Sequence, residues 1–165
     1  MRSFVASVLL LAVAGCGFQL RGTATLPFDT MYMPPATAPG IALDLKRNIQ
    51  SGTHTSVVDD PKKAEALLEF SQEIREKVIL SLAATGRVRE FQLRYRVSFR
   101  VHDGKGSEFL PTSTVQLTRE VTFNDSDVLA KETEEQLLYR DMQFDMVQQI
   151  MRRLAGAQRP KPAVQ

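Results

Sequence analysis

Cysteine is almost absent from this chain: Cys16 is the only one in 165 residues. No intrachain disulfide can brace the fold, so its stability must come from a packed core. Past residue 14 no apolar run approaches the ~20 residues that a transmembrane helix needs. Neither sign of charge is in excess, since 21 Lys and Arg face 19 Asp and Glu, interspersed along the chain. That balance argues against nucleic-acid binding, which gathers cations on one face or in one run. Histidine is scarce too: His54 and His102 are the only two, and without HxxxH, HExxH or a second cysteine they form no metal motif and read as surface residues. There is no glycine-rich phosphate loop after a strand, no GxSxG elbow, and no serine with a recognisable base. These absences favour binding over catalysis and imply neither cofactor nor metal.

What is present begins with an address. Arg2 precedes an apolar stretch from Phe4 to Ala14, and Val13-Ala14-Gly15-Cys16 closes it as a lipobox. Residues 1–15 therefore read as a secretory signal rather than a structural helix. The mature chain is expected to start at Cys16, with its thiol and new amino terminus acylated, because several acyl chains hold a protein at a bilayer where one alone is marginal. Residues 16–157 suffice for one domain with one core. Residues 158–165 carry two prolines and no apolar periodicity, and read as a disordered tail.

Within the domain, Met31-Tyr32-Met33 ahead of Pro34-Pro35 suggests a brief strand, and His54–Val58 a second one, stopped by Asp59-Asp60-Pro61. Between them Ile41, Ala42, Leu45 and Ile49 share one helical face, with Gly52 placed as the residue after the C-cap. The period then changes to two. Ala66, Leu68, Phe70, Ile74, Val78, Leu80 and Leu82 hold even positions in a first long strand, against Glu65, Glu69, Glu73, Arg75 and Lys77 at odd ones. Phe91, Leu93, Tyr95, Val97, Phe99 and Val101 alternate in a second strand, and Val115, Leu117, Val121 and Phe123 in a third. Because paired residues of neighbouring strands share a face, this parity predicts an even loop at Thr85-Gly86 and an odd one around Asp103-Gly104-Lys105. A helix over 127–154, apolar at Leu137, Phe144, Val147, Ile150, Met151 and Leu154, supplies the cover that the sheet requires. The expected fold is α+β: two helices packed on one face of a mixed, largely antiparallel sheet of about four strands. The carboxylates of Glu65, Glu69 and Glu73 read as a charged outer face rather than as a hydrolytic pair.

Cys16-Gly17-Phe18-Gln19-Leu20-Arg21-Gly22 followed by Leu26-Pro27 resembles the opening of the LPS-assembly lipoprotein LptE family. The likeness continues through Glu90-Phe91-Gln92-Leu93, Thr118-Arg119, Asn124-Asp125 and Val128-Leu129-Ala130-Lys131. The resemblance implies two helices on a sheet of about four strands, and a non-enzymatic lipoprotein held by its acyl chains on the periplasmic side of the outer membrane. Gly17, rather than Asp, after the lipidated cysteine fits outer-membrane sorting. It further implies a one-to-one complex in which the protein plugs the β-barrel LptD and helps it assemble, and contact with lipopolysaccharide on its way to the cell surface. In the family that contact falls to a basic residue in the hairpin before the Glu-Phe-Gln strand and to a lysine opening the last helix. The lysine matches Lys131. The hairpin position is Ala84 here, a departure that leaves Arg87 and Arg89 as the nearby substitutes. A cation in a first helical turn opposes the macrodipole, although Glu135, four residues on, is placed to pair with Lys131. Two other readings share the anchor: a periplasm-facing scaffold for another envelope component such as peptidoglycan, and a small hydrolase using the strand carboxylates.

Overall fold

The computed structural model describes residues 25–35, 40–123 and 128–159. The leader, Cys16, Asn124-Asp125 and residues 160–165 lie outside the described residues. The chain forms β1 (Thr30–Tyr32), α1 (Ile41–Gly52), β2 (Ser56–Val58), a 3-10 turn (Pro61–Lys63), β3 (Ala66–Leu82), β4 (Val88–His102), β5 (Glu108–Thr122) and α2 (Val128–Ala155). The strands lie in one sheet in the order β2-β1-β3-β4-β5. β1 runs parallel to both its neighbours, and β3, β4 and β5 make an antiparallel meander. The α+β architecture is as expected, with five strands where about four were foreseen.

β1 is short but interior, which is why Met31 is fully buried. In α1, Ile41, Leu45 and Ile49 fall four residues apart and are buried together. Gly52 is the last helical residue and has no positive φ. The end is made instead by Thr53, whose N–H (3.1 Å) and hydroxyl (2.8 Å) both donate to the Ile49 carbonyl. In α2, Met142, Met146 and Ile150 repeat the four-residue spacing and, with Val147, Met151 and Leu154, close the core over Leu93, Tyr95, Val97 and Phe99 of β4. Leu137 and Phe144, expected in this apolar face, are exposed. The buried stripe is centred on the methionines, and Leu138 and Tyr139 rather than Leu137 lean on the core.

The main departure lies in β3. Its register against β4 slips between Phe70 and Gln72, so Ser71 is an extra residue opposite the Phe99–Ser98 step. The Ser71 hydroxyl donates to the Ser98 carbonyl at 3.2 Å. Such a bulge reverses the side-chain parity beyond it. Leu68 and Phe70 point into the core as expected. Past Ser71, however, Glu73, Arg75 and Lys77 pair with Val97, Tyr95 and Leu93, and so lie on the helix-covered face. Ile74 and Val78 are turned to the open face beside Arg96 and Gln92. Two further slips leave out Leu80 on β3 and Arg89 on β4.

The hairpin loops follow the real parity. Ala83 and Arg87 close the first loop, Ala83 N–H to Arg87 carbonyl at 2.8 Å, leaving Ala84-Thr85-Gly86 between them with Gly86 at φ 81°. This is a three-residue loop whose glycine takes the left-handed position, not an even one. The second loop runs from Asp103 to Ser107, where the Asp103 carboxylate accepts the N–H groups of Lys105 (2.7 Å) and Ser107 (2.9 Å). Those N–H groups hold its carboxyl below the usual range. The expected tail starts at Gln158, yet Gln158 N–H donates to the Phe109 carbonyl (3.1 Å) and Arg159 reaches Pro27 (2.6 Å) and Glu65 (3.1 Å).

Candidate functional site

The β3–β4 hairpin, the end of β5 and the first turn of α2 meet at one end of the sheet, and the candidate residues collect there. Arg87 closes the three-residue loop and Arg89 is the unpaired residue of a β4 bulge, a feature that re-aims side chains at strand ends. The carbonyl of Arg89 accepts from the N–H of Phe123 at 2.8 Å, fixing the hairpin against the last residues of β5. Phe91 and Phe123 meet edge to face, with ring centroids 5.3 Å apart.

Lys131, in the first turn of α2, lies 3.5 Å from the Thr122 hydroxyl. Thus the backbone of Arg89 and the ammonium of Lys131 touch consecutive residues, Phe123 and Thr122, at the end of β5. The lysine pairs with Glu134 at 2.8 Å, not with Glu135, and its side chain is 22% exposed. Glu135 is taken by Lys77 at 2.6 Å, the strand cation that the Ser71 bulge turned inward. Arg87, Arg89 and Ala84 are all exposed.

The apolar part of this end does not show in the sequence pattern. Ile79, Leu80 and Leu82 of β3 and Val128 and Leu129 of α2 are exposed, Leu129 by 81%. Extending the even-position pattern of β3 puts Leu80 and Leu82 in the core, but the bulges at Ser71 and Leu80 break that pattern. Leu129 carried a signal, being apolar ahead of the helix's buried stripe with nothing in the pattern to cover it.

The other candidates are occupied by structure. Glu69 pairs with Arg100 (2.6 Å) on the open face, whereas Glu73 accepts from the Tyr95 hydroxyl (2.6 Å) on the helix face. Opposite faces of one sheet cannot present a carboxylate pair to one bond, and the expected common outer face is corrected accordingly. Glu65 accepts the Asp29 N–H at 2.9 Å. His102 Nδ1 accepts the Gly104 N–H at 3.1 Å, and its Nε2 lies 3.6 Å from Glu69. Among the described residues no group of three or more His, Cys, Asp or Glu could hold a metal ion, and no helix is long and apolar enough to cross a membrane.

Fold and site together define a small α+β module with a basic, apolar-edged end. The model of a family described as "LptE: Lipopolysaccharide-assembly" matches residues 28–154. The chain belongs to this LptE family, and so to the lipoproteins of lipopolysaccharide assembly. Among its relatives, the LPS-assembly lipoprotein LptE of Yersinia enterocolitica is 28% identical over 148 residues, covering 88% of this chain and 70% of the relative. That of Pectobacterium atrosepticum is 27% identical over 171 residues, covering 99% and 91%. A solution structure of lipoprotein B from Nitrosomonas europaea is 44% identical, with a TM-score of 0.73 over 84% of this chain and 90% of that one. A minor lipoprotein from Acinetobacter baumannii shares the fold at 21% identity and a TM-score of 0.66, over 83% of this chain and 99% of that one.

Proposed function

We propose that this protein is an outer-membrane lipoprotein that plugs and helps assemble the β-barrel LptD in a one-to-one complex and binds lipopolysaccharide with its basic end. In this reading residues 1–15 are a signal peptide, Cys16 carries the acyl chains, and residues 16–157 form the domain that hangs from them into the periplasm. The observation that carries it is the meeting of the Arg87/Arg89 hairpin and Lys131 on Thr122–Phe123, within a chain of the LptE family.

The chemistry suits the role. Lipopolysaccharide is a phosphorylated amphiphile, and guanidinium and ammonium groups make charge-assisted hydrogen bonds to phosphate. The exposed Leu82 and Leu129 flank those cations and offer apolar surface for the acyl part. A barrel lumen is polar and wet, and the open sheet face, with Arg94, Arg96, Arg100, Gln116 and Glu120, is polar in the same way.

Changing Arg87, Arg89 and Lys131 together to Glu is expected to weaken lipopolysaccharide binding at least tenfold in a pull-down on immobilised lipopolysaccharide, with the circular-dichroism spectrum unchanged. Unchanged binding rejects the site. Affinity purification of the full-length protein from outer membranes is expected to recover a large β-barrel in equal amount, and recovery without a barrel rejects the plug. Retention on cell-wall sacculi but not on lipopolysaccharide would favour the scaffold reading instead.

A further inference from the structure

A second cationic site lies away from the hairpin, in a groove between α1 and α2 above the bulged half of β3. The groove has a volume of about 610 Å³, within the ~300–1,000 Å³ usual for small-molecule sites. Three guanidinium groups line it, one from each element: Arg47 of α1, Arg75 of β3 and Arg140 of α2. The one carboxylate in its wall, Asp44, is engaged by Arg47 at 3.6 Å and by the Gln143 amide at 2.5 Å.

Arg75 reaches this groove only because the Ser71 bulge turned it to the helix side. Its guanidinium lies over the Tyr95 ring at 4.7 Å and near the Tyr139 ring at 5.7 Å, and donates to Gln143 Oε1. Stacking employs the faces of a guanidinium and leaves its N–H edge for an oxyanion. Its nearest carboxylate, Glu73, stands at 3.8 Å and already accepts from the Tyr95 hydroxyl. Arg140 makes no ion pair among the described residues. Phe144, 65% exposed, and the buried Val147 add an apolar wall beside this charge.

We propose that the α1–α2 groove is a binding site for a phosphate monoester bearing an apolar chain, its phosphate held by Arg75, Arg140 and Arg47 and its chain laid on Phe144. Three cations against two carboxylates, Asp44 in the wall and Glu73 beside Arg75, leave the groove net positive. Arginine is suited to phosphate because its planar fork can donate two parallel hydrogen bonds. The ring of Phe144 is a large apolar surface with no covering side chain, so it distinguishes an amphiphile from a free anion. This site is independent of the lipopolysaccharide reading of the hairpin end.

The test uses the folded protein, with hexyl phosphate, inorganic phosphate and hexanol as probes and amide NMR shifts as readout. Hexyl phosphate is expected to move resonances of α1, α2 and the Glu73–Lys77 stretch, with inorganic phosphate binding the same place at least fivefold more weakly and hexanol not at all. Arg140→Gln, which touches no structural partner, is expected to weaken hexyl phosphate binding at least tenfold, as is Arg75→Gln. Phe144→Ser should erase the advantage of hexyl over inorganic phosphate, whereas Arg87→Gln with Arg89→Gln should leave the shifts of α1, α2 and the Glu73–Lys77 stretch as they are. No saturable shift in the wild type, shifts confined to the hairpin end, or unchanged binding in Arg140→Gln overturns the site. Equal binding of hexyl and inorganic phosphate overturns its apolar half and leaves free phosphate as the ligand. Because the hairpin variant serves as the control, failure here and failure of the lipopolysaccharide site give different results.

Discussion

The two halves of β3 follow opposite rules, although they belong to one strand. From Ala66 to Phe70 the helix-facing side chains are apolar, Ala66 pairs with Met31, and Ala66 and Leu68 are buried in the same core as the methionines of α2. From Glu73 to Lys77 the helix-facing side chains are a carboxylate and two cations, each tied to a neighbour by a hydrogen bond, an ion pair or a ring. Ser71 divides the two regimes. The first half holds the domain together; the second gives up apolar burial and in return carries charge to a groove and leads to the basic end of the molecule. Strength and chemistry are thus separated along one strand by a single inserted residue.

The largest expected effect breaks the first half. Leu68→Ala removes a side chain that is 2% exposed, and is expected to lower unfolding free energy by about 2–5 kcal/mol in a urea titration, as buried leucine truncations do. The same truncation beyond the bulge, Ile79→Ala, affects a residue 54% exposed and is expected to stay within about 0.5 kcal/mol. Comparable losses at both sites would show that the far half is as much core as the near half.

This contrast also marks what could be read in the sequence. The α+β class, both helices, and the core positions of β4 and β5 were legible, because unbroken alternation at Leu93–Val101 and four-residue spacing at Ile41, Leu45 and Ile49 leave little choice. The bulge was not legible. Ile74 and Val78 keep the even positions of Leu68 and Phe70, and a half-buried isoleucine on an open sheet face looks the same in sequence as a core one. Ser71 was the available signal, a small hydroxyl residue opening a run of three polar residues, Ser71-Gln72-Glu73, that interrupts the alternation. The site divided similarly. Lys131 was a candidate through resemblance, and Arg87 and Arg89 as substitutes near the departing Ala84, but their meeting on Thr122–Phe123 depends on the end of β5, and the Arg75 groove depends on the bulge.

A smaller effect is expected at the joint between charge and core. The ring of Tyr95 is buried while its hydroxyl donates to Glu73 at 2.6 Å. Burial first, and then the hydrogen bond to Glu73, hold its phenol well above the usual ionisation range. A raised folded-state pKa means that Tyr95 favours folding fully below the unfolded value of about 10 and loses that contribution as pH rises beyond it. Tyr95→Phe is expected to cost about 1 kcal/mol at neutral pH, the size of one hydrogen bond, and to flatten the fall in stability between about pH 10 and 12. Denaturation curves across that range check both. An unchanged alkaline slope would mean that another group governs it.

The smallest effect is expected where the far half meets the outer half of α2. Lys77 pairs with Glu135 at 2.6 Å and lies over the Phe91 ring at 4.4 Å, with 37% of the lysine side chain exposed. That exposure screens the pair, so Lys77→Met, which keeps the stem and removes the charge, is expected to cost no more than about 1 kcal/mol. The loss should shrink further in 1 M salt, where the Debye length is ~3 Å. A cost of several kcal/mol, insensitive to salt, would instead show Lys77 to be a buried ion whose removal strands Glu135. The far half would then be a polar core in its own right, and the division of labour at Ser71 would fail.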